Sequence, residues 1–277
     1  MIALEDNFED IIGKALKGTS MADGVLSFLT GVETDTIEKL KKGEFNEVAV
    51  RAIASSLGLD ADTLVERAQG AWRPAPVELA GLQQFNTLFD DDPEDPMSVN
   101  AYLIWDHQTK EAALFDTGAN ADEVLAMIAE KGLTLKGLFI THTHLDHIID
   151  RAKVTSAHPD AVVYVNGMEP IEKATRFAAG DSFSIGTLRV STRLTWGHSP
   201  AGTTYVIHGL ARPVAVVGDA LFAQSQGGGV ISFHDSLATN RAEIFTLEDQ
   251  TVICPGHGPM TSVGEEKAHN PFYPEFK

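Results

Sequence analysis

Apolar positions recur at helical spacing through the first part of the chain. They are Ile11, Ile12 and Leu16, then Val25, Leu26 and Leu29, then Ile37 and Leu40, then Val48, Val50, Ile53 and Leu57. Gly18-Thr19-Ser20, Gly31, Gly43 and Gly58 fall between these runs as turn signals, so the pattern predicts a set of short helices. Phe8, Phe28 and Phe45 are the expected core of that set. Arg73-Pro74-Ala75-Pro76 reads as a linker, because proline disfavours helix at itself and at the residue before it. Beyond it the period shortens. Strands are predicted at Ala101–Trp105, Ala112–Asp116, Gly137–Thr141, Ala161–Asn166, Thr187–Thr192, Thr203–His208, Val214–Gly218 and Thr251–Cys254. A helix is predicted over Ala121–Lys131, capped by Asn120 and stopped by Gly132, and another begins near Asp146. This mixture implies a layered α/β (α+β) fold. The expected division is 1–75 for the helices and linker and 76–277 for the mixed part. Gly227-Gly228-Gly229 reads as a mobile loop.

Composition narrows the partners. The 277 residues are 43% hydrophobic, enough for a substantial core, and 21 Lys and Arg stand against 39 Asp and Glu for a net charge of −18. Such a balance repels nucleic acid and anionic membrane unless basic residues cluster, and the densest cluster is only Lys39, Lys41 and Lys42. The single cysteine, Cys254, leaves no intramolecular disulfide and is expected in the core. The acidic start MIALEDNFED lacks the layout of a signal peptide, and no apolar run reaches membrane-helix length, so a cytoplasmic location is expected.

The chemistry concentrates in Thr141-His142-Thr143-His144-Leu145-Asp146-His147, directly after the apolar run Gly-Leu-Phe-Ile. If a strand leads here into a helix, His142 and His144 point the same way and Asp146 and His147 project from the first helical turn. Imidazole and carboxylate together suit zinc, iron or manganese. His198 in Trp196-Gly197-His198-Ser199-Pro200, Asp219 after an apolar strand and His257 in Pro255-Gly256-His257-Gly258 have the same character. Functional groups of open α/β sheets collect at strand C-termini. The candidate ligands number seven, enough for two metal ions sharing one carboxylate. The alternative that these are solvated loop histidines is disfavoured, because unpaired polar groups directly after an apolar strand would be costly for nothing.

The run THTHLDH resembles the HxHxDH signature of the metallo-β-lactamase superfamily, and GHSPAG, GDALF and PGHG follow in that superfamily's order. The resemblance covers about residues 80 to 277. It implies an αββα sandwich with the site at one edge of the two sheets. It also implies one divalent ion on His142, His144 and His198, a second on Asp146, His147 and His257, and Asp219 as the bridge. Asp116, in Phe115-Asp116-Thr117-Gly118, resembles the family's early Asp motif and would orient a ligand histidine. Zinc is the expected metal, with iron and manganese compatible with the same donors. The family's chemistry implies a hydroxide generated between two metals that attacks a carbonyl carbon, with Asp146 and Asp219 as the catalytic carboxylates. The expected substrate is a small thioester, ester or lactone. The tail from Pro255 to Phe272 resembles the glyoxalase II group, but the chain stops at Lys277, before that group's basic helical region, so glutathione itself is not expected. Ile148, Ile149 and Asp150 depart from the small residues usual after DH, and Ala201 stands where glycine is common. The same scaffold implies a second reading, a persulfide dioxygenase with one iron on His142, His198 and Asp219.

Residues 8 to 70 resemble a Cro/repressor-type helix-turn-helix domain, carried by Ser20–Leu26, Leu29–Val32, Thr34–Leu40 and Val50–Leu64. That resemblance implies a DNA-binding regulator with the metal part as sensor, reading the major groove with Thr34 to Lys42. Charge opposes it: residues 1–75 hold 8 Lys and Arg against 13 Asp and Glu. Phosphate contacts supply most of the affinity of such modules. The expectation is therefore a bundle that forms a homodimer contact or covers part of the site.

Overall fold

The computed structural model describes residues 2–90, 92 and 96–277. Its first part is five short helices, α1 (Phe8–Thr19), α2 (Asp23–Thr30), α3 (Thr34–Leu40), α4 (Glu47–Ala54) and α5 (Ala61–Ala68). Local chemistry explains their ends. Asn7 and Asp10 form a reciprocal capping box on α1, Asn46 accepts from the Ala49 amide, and Asp60 accepts from the Thr63 amide. Gly31 ends α2 in the left-handed region at φ 73°, where a side chain is strained.

The rest is two six-stranded sheets. The first contains β1 (Leu82–Asp90), β2 (Met97–Trp105), β3 (Glu111–Phe115), β4 (Thr134–Phe139), β5 (Val162–Asn166) and β6 (Thr175–Phe177), side by side in that order. The second runs β12 (Thr261–Ser262), β11 (Val252–Pro255), β10 (Val214–Gly218), β9 (Thr203–His208), β8 (Leu188–Leu194) and β7 (Ser182–Ile185). Each sheet mixes parallel and antiparallel pairs: β3, β4, β5 and β6 pair in parallel, and so do β10 and β11. The remaining helices are α6 (Asp122–Lys131), α7 (Leu145–Ile148), α8 (Arg151–Ala157), α9 (Phe233–Glu243) and α10 (Val263–His269).

Alternation along the strands builds four layers. Ala113 and Phe115 of β3 and Val214 and Val216 of β10 face the core between the sheets, with Phe139, Tyr205 and the buried Cys254. Ala112 and Leu114 face outward to α6 and α8, through Val124, Ile128 and Val154. Ala215 and Val217 face the other way and share one core with Ile11, Ile12, Leu26, Ile37, Ile53 and Leu64 of α1–α5. The outer face of the second sheet shares this core with α9, α10 and the N-terminal helices together, through Leu237, Ile244, Phe245 and Val263, and the expected αββα arrangement is present. Polar struts add to the apolar contact: Lys14 donates to the Gln226 carbonyl (2.8 Å), Ser225 to Asp6 (2.5 Å) and Gln224 to Glu66 (3.0 Å).

Several expectations need correction. Phe8 is buried, but Phe45, edge-on to it, is 39% exposed, and Phe28 is 89% exposed, beside exposed Val25 and Leu29 on α2. The helical period was read correctly there and the buried face was not, because only Leu26 turns inward. Strands β1, β6, β7 and β12 were not predicted; β1 and β7 expose polar residues along much of their length, so their apolar signal is diluted. Strand β4 stops at Phe139, two residues before the predicted Thr141. The N-cap of α6 is Ala121, while Asn120 accepts from the Asp122 amide in a local turn. The outward residues of α3 are Asp35, Glu38 and Lys39, which make no basic face. No helix among the described residues is long and apolar enough to cross a membrane.

A shared core predicts shared unfolding. Replacing Ile53 by alanine should cost about 2–5 kcal/mol by emptying a fully enclosed site. Calorimetry should show one lowered transition; a second, unshifted transition would mean that helices and sheets unfold separately.

Candidate metal centre

All the candidate donors stand at the ends of strands or in the loops and the short helix α7 that follow them, on one edge of the sandwich. Asp116 follows β3, His142 and His144 follow β4, Asp146 and His147 lie in α7, His198 follows β8, Asp219 follows β10 and His257 follows β11. The structure brings the seven ligand candidates into two groups, His142, His144, His198 and Asp219 on one side and Asp146, His147 and His257 on the other, with the donor atoms of each within 4.8 Å of one another. The predicted alternation of His142 and His144 along a strand is replaced by an irregular loop, because β4 has already ended and His144 caps α7. The two rings still meet, at 3.1 Å between Nε2 of His142 and Nδ1 of His144.

Asp219 lies between the groups. Its Oδ2 is 3.3 Å from His198 Nε2 and 3.4 Å from His257 Nε2, and its Oδ1 is 3.3 Å from His147 Nε2. Asp146 Oδ2 is 3.3 Å from His147 Nε2 and 3.4 Å from His257 Nε2. Donors on the corners of a tetrahedron about 2.0–2.2 Å from zinc lie roughly 3.3–3.6 Å apart. The spacing therefore suits a shared cation. Two atoms make the same point. His147 Nε2 and Asp219 Oδ1 are buried with no hydrogen-bond partner, which is costly unless a cation satisfies them.

The outer nitrogens are held from behind. His147 Nδ1 lies 2.8 Å from Asp116 Oδ2, His198 Nδ1 2.8 Å from the Gly228 carbonyl and His257 Nδ1 2.7 Å from the Ser98 carbonyl. Donation of each Nδ1–H leaves Nε2 as the acceptor facing the cluster. Asp116 also accepts from the Thr141 amide and hydroxyl at 2.8 and 2.7 Å, so one carboxylate orders both the β4 exit and a candidate ligand. It does so at φ 55°, a left-handed conformation that aspartate tolerates better than most residues. The glycine-rich stretch expected to be mobile is packed here instead. A Cβ at Gly227 would meet the Asp219 carbonyl at 1.9 Å. Likewise a Cβ at Gly256 would lie 2.0 Å from Asp219 Oδ1.

Electrostatics divide the histidines. Burial, helped by neighbouring imidazoles, holds His142 well below its ordinary value, and burial also lowers His198. Both are neutral, as ligation requires. Burial opposes charge on His147 too, but Asp219 and Asp116 outweigh it and lift the ring to about 10. Burial is likewise outweighed at His257, where Asp219, Asp146 and Glu5 lift the ring to about 12. Burial favours the neutral acid at Asp219, yet His257, His147 and His142 hold it well below the carboxylate range. In the absence of a cation, protons on His147 and His257 balance the carboxylates.

Two participants escaped the sequence reading. Glu169, in the turn after β5, accepts hydrogen bonds from the loops of His142–His144 and His198. Glu5 approaches His257 Nδ1 at 3.9 Å, and burial lifts its carboxyl to about 7. The only signal for Glu169 was its place after a strand; Glu5 lay in the acidic N-terminal run, which carried no signal of its own. His234 lies away from the cluster, in a cleft with Gly18, Leu57 and Phe272, and Asp235 caps α9 with Ser232.

Comparison with known proteins follows the same outline. The family model described as Metallo-beta-lactamase superfamily matches residues 95–257. The chain is 31% identical over 209 residues to the probable metallo-hydrolase YqgX of Bacillus subtilis (strain 168), spanning 65% of this chain and 94% of that one. It is 30% identical over 208 residues to the hydroxyacylglutathione hydrolase GloC of Haemophilus influenzae, spanning 65% and 95%. Among solved structures, ETHE1 from Myxococcus xanthus superposes with a TM-score of 0.60 at 29% identity, over 70% of this chain and 84% of that one.

Metal uptake must displace the protons on His147 and His257. Zinc added to metal-free protein near pH 7.5 is expected to release up to about two protons per chain, and affinity should rise with pH because those rings sit at about 10 and about 12. Calorimetry in buffers of different ionisation enthalpy measures this; uptake with no proton release would contradict it. Gly256→Ala should weaken metal binding roughly 10–100-fold in chelator competition, by displacing the Asp219 carboxylate.

Proposed function

The chain belongs to the metallo-beta-lactamase superfamily, and from that premise we propose that it hydrolyses a thioester, ester or lactone with an uncharged, apolar acyl group. The observation that carries the reading is Asp219, a buried carboxylate reaching both donor groups with one oxygen left unpartnered. Two divalent ions held by His142, His144 and His198, by Asp146, His147 and His257, and by Asp219 between them would polarise a carbonyl oxygen and acidify a water. Zinc is the proposed metal.

The protein's own groups do the rest. Asp146 projects from the first turn of α7, 3.3 Å from His147 Nε2, where its carboxylate can orient the attacking water and take its proton. Asp116 keeps His147 in one tautomer through the reaction, and the Gly228 and Ser98 carbonyls do so for His198 and His257. The enclosed side of the cluster, with His142 and Asp219 almost wholly buried, keeps the field of these groups from being screened by water.

Support for the acyl class comes from the exposed residues on the same loops. Leu145 and Ile149 flank Asp146 and His147, Met168 precedes Glu169, and Val230 and Ile231 follow the Gly228 that holds His198. Each is an exposed apolar side chain on a segment next to the candidate ligands, and apolar residues at the rim of such a site suit a hydrocarbon chain. The name of the Haemophilus influenzae relative, hydroxyacylglutathione hydrolase, supports acyl transfer to water as the reaction class.

The test is elemental analysis of protein purified without added metal, followed by a screen of thioesters, lactones and persulfides. Two metals per chain with thioester or lactone turnover is expected, together with at least a roughly 1000-fold loss of turnover and lower metal content in Asp219→Ala. One iron per chain with oxygen uptake on persulfides would replace this reading with the dioxygenase; unchanged turnover in the variant would end it.

A further inference from the structure

Glu169 is a buried carboxylate, 1% exposed, that takes no part in either donor group. Its two oxygens divide between two loops. Oε2 accepts from the Thr143 hydroxyl at 2.7 Å and the Thr143 amide at 3.2 Å. Oε1 accepts from the Ser199 hydroxyl and the Ala201 amide, both at 2.9 Å. Thr143 stands between His142 and His144, and Ser199 follows His198. The four donors therefore come from the two loops that carry the three histidines of the first group, and from nowhere else.

Burying a carboxylate is expensive, and among the described residues no lysine or arginine side chain forms an ion pair with it. Four hydrogen bonds offset the cost. The turn that carries Glu169 is itself fixed: Arg176 donates to the carbonyls of Gly167 (2.7 Å), Glu169 (3.0 Å) and Ile171 (2.8 Å). His144 shows why such a brace matters. His142, His147, His198 and His257 each have an outer partner on Nδ1, at Thr141, Asp116, Gly228 and Ser98. The hydrogen bonds of His144 run only to His142 and His198, and its ring is largely exposed. Its placement depends on the backbone of Thr143.

We propose that Glu169 is a positioning residue that sets the spacing of His142 and His144 against His198, and so tunes divalent-cation affinity at that position without acting on Asp146, His147 and His257. The inference rests on the metal-centre reading above, but not on the identity of the substrate.

The test is cobalt(II) titration of metal-free protein, followed by visible absorption and competition with a chelator. The wild type should take two cobalt ions. Glu169→Gln keeps the shape but turns one acceptor into a donor facing an N–H or O–H, and it should weaken one cobalt position about 10–100-fold while leaving the other unchanged. Thr143→Val and Ser199→Ala, which each remove one hydroxyl arm, should weaken the same position by smaller factors. The melting temperature of each metal-free variant separates positioning from folding: it should stay within a few degrees of the wild type. Equal weakening of both positions, or a lowered melting temperature with both affinities intact, would overturn the inference. If the wild type takes two ions and Glu169→Gln binds both as tightly, Glu169 has no such role and the metal-centre reading survives. If the wild type takes no cobalt, both fall.

Discussion

Asp116, Asp146, Glu169 and Asp219 share one edge of this sandwich with five imidazoles, and several of these groups are enclosed. Asp219 is the centre of that arrangement: its oxygens lie 3.3–3.4 Å from nitrogens of His147, His198 and His257. A buried carboxylate is unfavourable unless charge and hydrogen bonds compensate. Protons on His147 and His257 compensate in one state, and divalent cations would do so in the other. The same donors cannot serve both at once. That competition couples the centre to pH, and it explains why so much surrounding structure is spent on fixing the rings: Asp116, the Gly228 and Ser98 carbonyls, Glu169 and close-packed Gly227 and Gly256 all act on the positions of a few atoms.

The strand ends make this crowding possible. Parallel β3, β4 and β5 deliver Asp116, the His142–His147 run and Glu169 to one edge, and parallel β10 and β11 deliver Asp219 and His257 to the same edge. Neighbouring strands lie about 4.8 Å apart, so residues at adjacent ends are within side-chain reach. The Asn100 amide and Tyr102 hydroxyl of β2 then donate to the Pro255 carbonyl, tying the first sheet to the approach of His257.

The N-terminal helices belong to the same mechanical unit. Their apolar face joins, with residues of and next to α9 and α10, the core that includes Ala215, Val217 and Ile253 on the back of the strands that end in Asp219 and His257. Lys14, Asp6 and Glu66 also hold the 224–226 segment, just before Gly227 packs on Asp219. Glu5 reaches His257 from the same arm. A change in these helices would therefore be felt at the metal centre. The acidic outer face of α3 and the exposed Val25, Phe28 and Leu29 of α2 remain on the far side of that packing.

Much of this was legible in the sequence because it is local. The run from Thr141 to His147, an acid after an apolar strand and a histidine in a proline-glycine turn each show their chemistry within a few residues, and helical periodicity located α1–α4 but not α5. The candidate donor types followed from that alone, and their grouping from the family resemblance. What required the tertiary structure was every relation across long separations. Which face of α2 is buried depends on what packs against it, and Phe28 could not report that. Glu169 looked like any polar turn residue until the fold set it against Thr143 and Ser199, and Glu5 until it met His257. Periodicity along a chain encodes one element's pattern; the spacing between donors from separate strands is set by packing, which no single element contains.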